Sequence, residues 1–202
     1  MLYLRNIVML VKQKVTSSAQ DFKTHWSMGL LNSMADPKCI IKEDDTVVVI
    51  KDKYPKAQHH FLVLPKINIP SIRHISQEHN NLLFHMDKIA NDIVQKYKEY
   101  KFLIGYHAMP SMHRLHLHII SSDFNSPCLK TKHHWNSFNT PYFIPSKEIV
   151  QQLKESGKIQ AIAPDKCKEY LLRPLRCHKC SERPETIRML KQHLLAHVTQ
   201  KE

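Results

Sequence analysis

No apolar run in the 202 residues approaches the roughly 18 that a membrane-spanning helix needs, so no membrane partner is expected. Acidic side chains are scarce as well: 18 Asp and Glu stand against 30 Lys and Arg, a formal net charge of +12. That imbalance favours a polyanionic partner such as nucleic acid, with an anionic membrane surface as the plainer competitor. The five cysteines are an odd number, and two of them, Cys177 and Cys180, are closely spaced ahead of later histidines, so metal binding explains them better than a disulfide framework does. Cys39, Cys128 and Cys167 read as reduced thiols, which suggests an intracellular protein. Repeats and low-complexity tracts are missing too, which leaves one main domain with a small appendage. The first twenty residues contain no acid but carry Arg5, Lys12, Lys14, Ser17 and Ser18. Such a composition is compatible with a mitochondrial transit peptide, a weakly amphipathic N-terminal helix being the alternative.

What is present is organised as short strands around one long helix. The β-branched stretch TVVVIKD (46–52), the turn KYPKAQ and the run HFLVLP (60–65), stopped by Pro65, predict a hairpin. Leu82, Leu83, Met86, Ile89, Ile93 and Val94 recur at helical spacing between Ser76 and Tyr97, with Ser76 and Gln77 or Glu78 as capping material. KFLIGYHA (101–108) reads as a third strand, MPSM as a bend and LHLHIIS (115–121) as a fourth. The run from 124 to 143 reads as ordered but irregular, and a helix is expected over 146–157. The order of elements predicts an α+β domain on a mostly antiparallel sheet.

Near the C-terminus, Cys177 and Cys180 are separated by two residues, Cys180 and His193 by twelve, and His193 and His197 by three. Two thiolates on a short knuckle and two imidazoles one helical turn apart make a tetrahedral ligand set for one structural Zn²⁺, in a ββα-type finger too small to fold without it. Ile187, Leu190 and Leu194 supply its apolar face. A single finger spans only about three base pairs, too few to select a sequence. With Arg173, Arg176, Lys179, Arg183, Arg188 and Lys191 around it, a grip on the phosphate backbone is expected.

The stretch SMHRLHLHII (111–120) holds three histidines in six positions. On a strand, Arg114, His116 and His118 would share one face and Leu115, Leu117 and Ile119 the other. Three readings follow: a polar edge strand, a metal site using His116 and His118, or covalent catalysis at phosphorus. In the last, a neutral imidazole attacks and flanking donors stabilise the phosphoryl oxygens.

The pattern HLHII, preceded by a bend and by GYHAMPSM, resembles the histidine-triad nucleotide hydrolases and transferases. More narrowly, KDKYPKAQHHFLVLP, GYHAMPSM, HLHIISSDFNSPCLK and HHWNSFNTPYF, followed by a zinc finger, resemble the branch that removes AMP from the 5′ ends of abortively ligated DNA. The resemblance implies a histidine-triad catalytic domain over 21–160, an extension over 1–20 and a zinc-finger module over 161–202. It makes His116 the nucleophile on the α-phosphate, His118 a phosphate contact and His60 a histidine close to the phosphates. Arg114 falls where the family usually has its first histidine, with His113 just before it. Its guanidinium is expected on the catalytic face, on a phosphate or on a carbonyl that orients the nucleophile, giving an altered rate and not a dead site.

The same resemblance assigns His107, Ser111 and Met112 to the DNA-side phosphate. Asp52, Lys53, Tyr54, Pro55 and Lys56 become a nucleotide and DNA contact segment, with Asp52 accepting from ribose hydroxyls. Leu30, Ser33 and Met34 lie on a helix beside adenine and the DNA end, Trp26 stacks on the terminal base pair, and His133 is a basic DNA contact. The implied function is DNA repair: removal of 5′-AMP from nicked or broken DNA through an adenylyl-histidine in single-strand break repair, with RNA–DNA junctions as a related end. The implied enzyme is monomeric on DNA and nuclear, mitochondrial residence being the alternative. Larger animal members carry a forkhead-associated domain that these residues do not include, so phosphorylated repair scaffolds are not implied as partners. Two other readings stand beside this one: a general histidine-triad hydrolase of small nucleotides, and a catalytically idle nucleic-acid-binding module.

Overall fold

The computed structural model describes residues 28–197 and contains one antiparallel sheet of six strands in the order β1-β2-β3-β5-β4-β6. The strands are β1 (Ile40–Glu43), β2 (Val47–Lys51), β3 (His60–Pro65), β4 (Phe102–His107), β5 (Leu117–Ser121) and β6 (Phe143–Pro145). The helices are α1 (Gly29–Ala35), α2 (Asn80–Val94), α3 (Lys132–Asn139), α4 (Ser146–Ser156), α5 (Pro164–Leu172) and α6 (Ile187–Ala196). Trp26 and the 1–20 extension lie outside the described residues.

Alternation along the central strands sorts their side chains onto two faces. Phe61 and Val63 of β3 and Leu117 and Ile119 of β5 face the main core. There they meet Leu83, Met86, Ile89, Ala90 and Ile93, the buried stripe of α2. His60 and Leu62, with His118 and Ile120, take the other face. One end of that face is covered by Leu30 of α1 over Val48, Ile50, Leu62 and Leu64. The other end is covered by Trp135 and Phe138 of α3 over Ile120, Phe124 and Phe143. A band of histidines lies between the two apolar patches.

Local chemistry explains where the elements begin and stop. A capping box precedes α2, built from Ser76 and His79, where an acid or amide was expected. Gly157 ends α4 at φ 71, donating its N–H to Leu153 O, a left-handed position that favours glycine. Thr131 and Thr186 cap α3 and α6 by accepting from the N–H groups of His134 and Met189.

Four expectations are corrected. The 124–143 run is not irregular throughout, since α3 occupies its middle and β6 begins at Phe143. Trp135 and Phe138 alone bury the apolar side of that helix, too short a pattern for periodicity to register. Strand β5 begins at Leu117 and not at 115, because Arg114 has φ 89 and turns the chain before pairing starts. Among the described residues no strand lies between α5 and α6, so the finger is a turn and a helix and not ββα; its cysteine turn is closed by Cys177 N–H donating to Glu182 O. The fourth correction, to the side chain of Arg114, belongs to the site.

Packing is continuous across residue 160. Leu175, Leu190 and Leu194 join the cluster around Trp135 and Phe138, and Cys167 joins the main core. Trp135 Nε1 donates to Arg176 O at 3.1 Å, and Asn136 Nδ2 to the carbonyls of Leu171 and Arg173.

Candidate active site and metal centre

Four imidazoles meet on the histidine face of the sheet. His60 opens β3 and His118 lies on its neighbour β5, diagonal across the ladder, so their rings come within 5.3 Å and His60 Nε2 lies 3.0 Å from His118 Nδ1. His107, at the end of β4, and His116, just before β5, bring their rings within 4.4 and 4.8 Å of His118. Phe138 forms a common floor, with ring centroids 5.5, 4.8 and 5.3 Å from those of His60, His107 and His118. It was hidden in the run read as irregular; Thr131 as a cap and the pair Trp135/Phe138 were the only signals for it.

Hydrogen bonds fix which nitrogens carry protons. Lys56 N–H donates to His60 Nδ1 at 3.2 Å, so the His60 proton sits on Nε2 and is donated to His118 Nδ1. His118 must then carry its proton on Nε2, a buried atom with no protein partner. His116 Nδ1 donates to the carbonyl of Arg114 at 2.8 Å, which leaves Nε2 with a free lone pair. A bare nucleophilic nitrogen and an unspent N–H donor therefore stand on adjacent rings.

Burial keeps this array uncharged. It pushes the His60 pKa down to about 4, against the opposing pull of Asp52. The His116 pKa is lowered by burial, partly offset by its bond to Arg114 O. His107 and His118 are held well below the ordinary value by burial and then by the neighbouring imidazoles and Lys56, which disfavour a further positive charge. With His60 neutral, the 3.4 Å approach of Asp52 Oδ2 to its Nδ1 is not an ion pair. Lys56 is likewise lowered by burial, against Asp52.

Arg114 does not join the imidazoles. Its Nη1 donates to the carbonyls of Ile67 at 2.6 Å and Lys66 at 3.2 Å, beyond the end of β3 remote from His60. The expected guanidinium contact with a phosphate is corrected, because the left-handed backbone turns the side chain off the strand face. Its main chain does hold His116, through the carbonyl that accepts from Nδ1.

The remaining candidates sit around this centre. Asp52 Oδ1 accepts from Tyr54 N–H at 2.7 Å and so shapes the 52–56 turn, with Lys53 and Tyr54 exposed. Pro55 O accepts from Ser126 Oγ, and Lys56 Nζ donates to Tyr54 O. Leu30, Met34 and Met112 pack in the cluster at the β1–β3 end, while Ser33 Oγ is tied to Gly29 O. Ser111 is exposed on the bend and His133 on the first turn of α3.

Cys177, Cys180, His193 and His197 bring one donor atom each within 4.8 Å of the others. The separations are 3.5 Å for Cys177 Sγ to His197 Nε2, 3.2 Å for Cys180 Sγ to His193 Nε2, and 3.1 Å between the two Nε2 atoms. Ligands about 2.0–2.3 Å from a tetrahedral Zn²⁺ would lie roughly 3.3–3.8 Å apart, so the donor set fits that ion closely.

A family model described as scavenger mRNA decapping enzyme C-term binding matches residues 25–134, more than half of the chain. The chain belongs to that family, a histidine-triad fold. A second model, a C2HE / C2H2 / C2HC zinc-binding finger, matches 139–200. Among curated histidine-triad proteins, aprataxin of Gallus gallus is 47% identical over 187 residues, covering 91% of this chain and 58% of the relative. Aprataxin of Danio rerio is 49% identical over 177 residues, covering 86% and 54%. The chain thus spans little more than half the length of these relatives. The crystal structure of the aprataxin ortholog Hnt3 in complex with DNA has the same fold, with a TM-score of 0.67 at 23% identity over 88% of this chain and 95% of that one.

Proposed function

We propose that this chain removes AMP from 5′-adenylated DNA ends. The observation that carries the reading is the pairing of a neutral His116, its Nε2 free, with an unpartnered buried N–H on His118 Nε2. His116 Nε2 attacks the α-phosphorus, and the bond from that phosphorus to the oxygen of the DNA 5′-phosphate breaks. The electron pair leaves with the DNA. His118 Nε2–H stabilises the charge on the phosphoryl oxygens of the resulting adenylyl-histidine. Water then attacks the same phosphorus, AMP departs and His116 recovers its lone pair.

Three features favour DNA as the carrier of the adenylate: the net charge of +12, the basic residues around the finger, and the DNA-bound relative of the same fold. Zn²⁺ held by the four finger donors would supply a structural cross-link and no chemistry. On this reading the chain works as a monomer on nicked DNA, including RNA–DNA junctions, in nuclear single-strand break repair. The test is turnover of adenylated nicked DNA against that of a small adenosine phosphoramidate, with trapping of the intermediate. AMP attached to His116 and a preference for DNA are expected. Faster turnover of the small compound would make this a general nucleotide hydrolase, and no turnover of either would overturn the enzymatic reading.

A further inference from the structure

The finger grips the loop of residues 122–126 at two points. His178, between the two cysteines, donates from Nε2 to Ser122 O at 2.9 Å, its ring edge-on to Phe124 and Trp135. Lys191 of α6 donates from Nζ to Ser126 O at 2.9 Å. That loop grips the 55–58 segment at two further points. Ser126 Oγ donates to Pro55 O at 2.6 Å, and Asp123 Oδ1 accepts from Gln58 N–H at 3.0 Å. Ser126 is 3% exposed, and its hydroxyl also accepts from Cys128 N–H, so it has no rotational freedom to spare. The 55–58 segment in turn supplies Lys56 N–H, the donor that fixes the His60 tautomer and, through it, the proton on His118.

We infer that Ser126 is a positioning residue through which the folded finger sets the His60–His118 proton arrangement. The inference rests on the function proposed above for what it predicts of catalysis, though not for what it predicts of the imidazoles. The layers are connected by directional bonds, half-buried where Ser126 meets Pro55 and Lys191 and exposed where His178 meets Ser122 and Asp123 meets Gln58, and each layer is held at two points, so a displacement of the finger is transmitted and not absorbed. Loss of the Ser126 hydroxyl removes the restraint on Pro55, and Lys56 N–H next to it is free to leave His60 Nδ1. His60 can then take either tautomer, and His118 no longer presents its Nε2 proton in every molecule. The finger is thereby needed even for the chemistry of a small adenylate that contains no DNA for it to grip.

Two variants of the metal-loaded chain test this, Ser126→Ala and Lys191→Met, together with the parent after zinc chelation. The substrate is a small adenosine phosphoramidate, which contains no DNA. We expect kcat to fall about ten-fold in Ser126→Ala and less in Lys191→Met, with KM little changed, as for small misplacements of a catalytic group. Long-range ¹⁵N spectra of the imidazoles should show single tautomers for His60 and His118 in the parent and averaged nitrogens in both variants and the chelated chain. Parent-like spectra in both variants would overturn the inference, as would averaged nitrogens in the variants with the chelated chain unchanged. Lowered thermal stability with kcat and spectra intact would also overturn it, as the mark of a purely structural role. If the parent turns over no adenylate at all, the proposed function fails, and the spectra still decide the relay.

Discussion

Two pairs of histidines in this molecule hold their nitrogens almost equally close, 3.0 Å in His60–His118 and 3.1 Å in His193–His197. Their surroundings make them opposites. Around His60 and His118, backbone and ring partners assign both protons and leave only the one on His118 Nε2 without an acceptor, the two residues are under 5% exposed, and no cation is needed to hold them. Around His193 and His197, two Nε2 atoms and two sulfurs point at one another, which protons cannot reconcile and a cation can. Proximity of imidazoles therefore says little by itself. What decides between a prearranged reaction site and a metal site is whether the facing atoms are a donor and an acceptor, as with His60 Nε2–H and His118 Nδ1, or a full set of metal donors, as with the two imidazoles and two sulfurs of the finger.

The sharpest way to break this comparison is His116→Ala. It removes the bare ring nitrogen that the hydrogen bonds assign within the histidine array and should lower adenylate turnover by about a thousand-fold or more, with DNA affinity nearly unchanged. Retained turnover, measured on adenylated nicked DNA, would move the nucleophile elsewhere. Cys180→Ser attacks the other centre. The finger should lose its ion, and DNA affinity at moderate salt should weaken about ten-fold while the six-stranded sheet persists. Anisotropy titrations that give equal affinity with and without metal would make the finger only structural.

Acid separates the two pairs next. The folded-state pKa of His60 is near 4 against an ordinary 6.5, so the unfolded chain takes up the proton first as pH falls. Stability from this residue is full above about 6.5 and is lost on the way down to about 4, a loss of roughly 3 kcal/mol read from denaturant midpoints. Because the His116 pKa is lowered as well, the acid limb of the rate profile should lie below the ordinary histidine value. The smallest effect is expected at Arg114. Removing its guanidinium in Arg114→Ala releases two carbonyls and should cost about 1–2 kcal/mol of stability. Since the carbonyl that holds His116 belongs to the main chain, turnover should stay within about three-fold of the parent. A larger loss at unchanged stability would restore a direct phosphate role.

The sequence made legible whatever repeats at a fixed spacing. Strands β2 and β3, helices α2 and α4 and the four finger donors fall where their patterns placed them, because each rests on alternation, helical periodicity or ligand spacing. His60, His107, His116 and His118, four residues that the resemblance singled out, lie together on one face of the sheet. Arg114 did not follow, because strand alternation was extended through a residue whose φ of 89 no local pattern announces. Phe138 and Ser126 escaped notice for a different reason. Both lie in the 124–143 run, where order comes from contacts with residues far along the chain and not from neighbours in sequence.

Gly105 pairs with His118 in the sheet and lies against β6, where a methyl group would fall 2.3 Å from Ile144 O and within 2.9 Å of the Phe143 ring. Strands β4 and β6 would have to part to admit it. A missense change at this codon would therefore present in a cell as missing protein and not as a slow enzyme: chaperones and proteases would clear the chain before its histidines were ever asked to react.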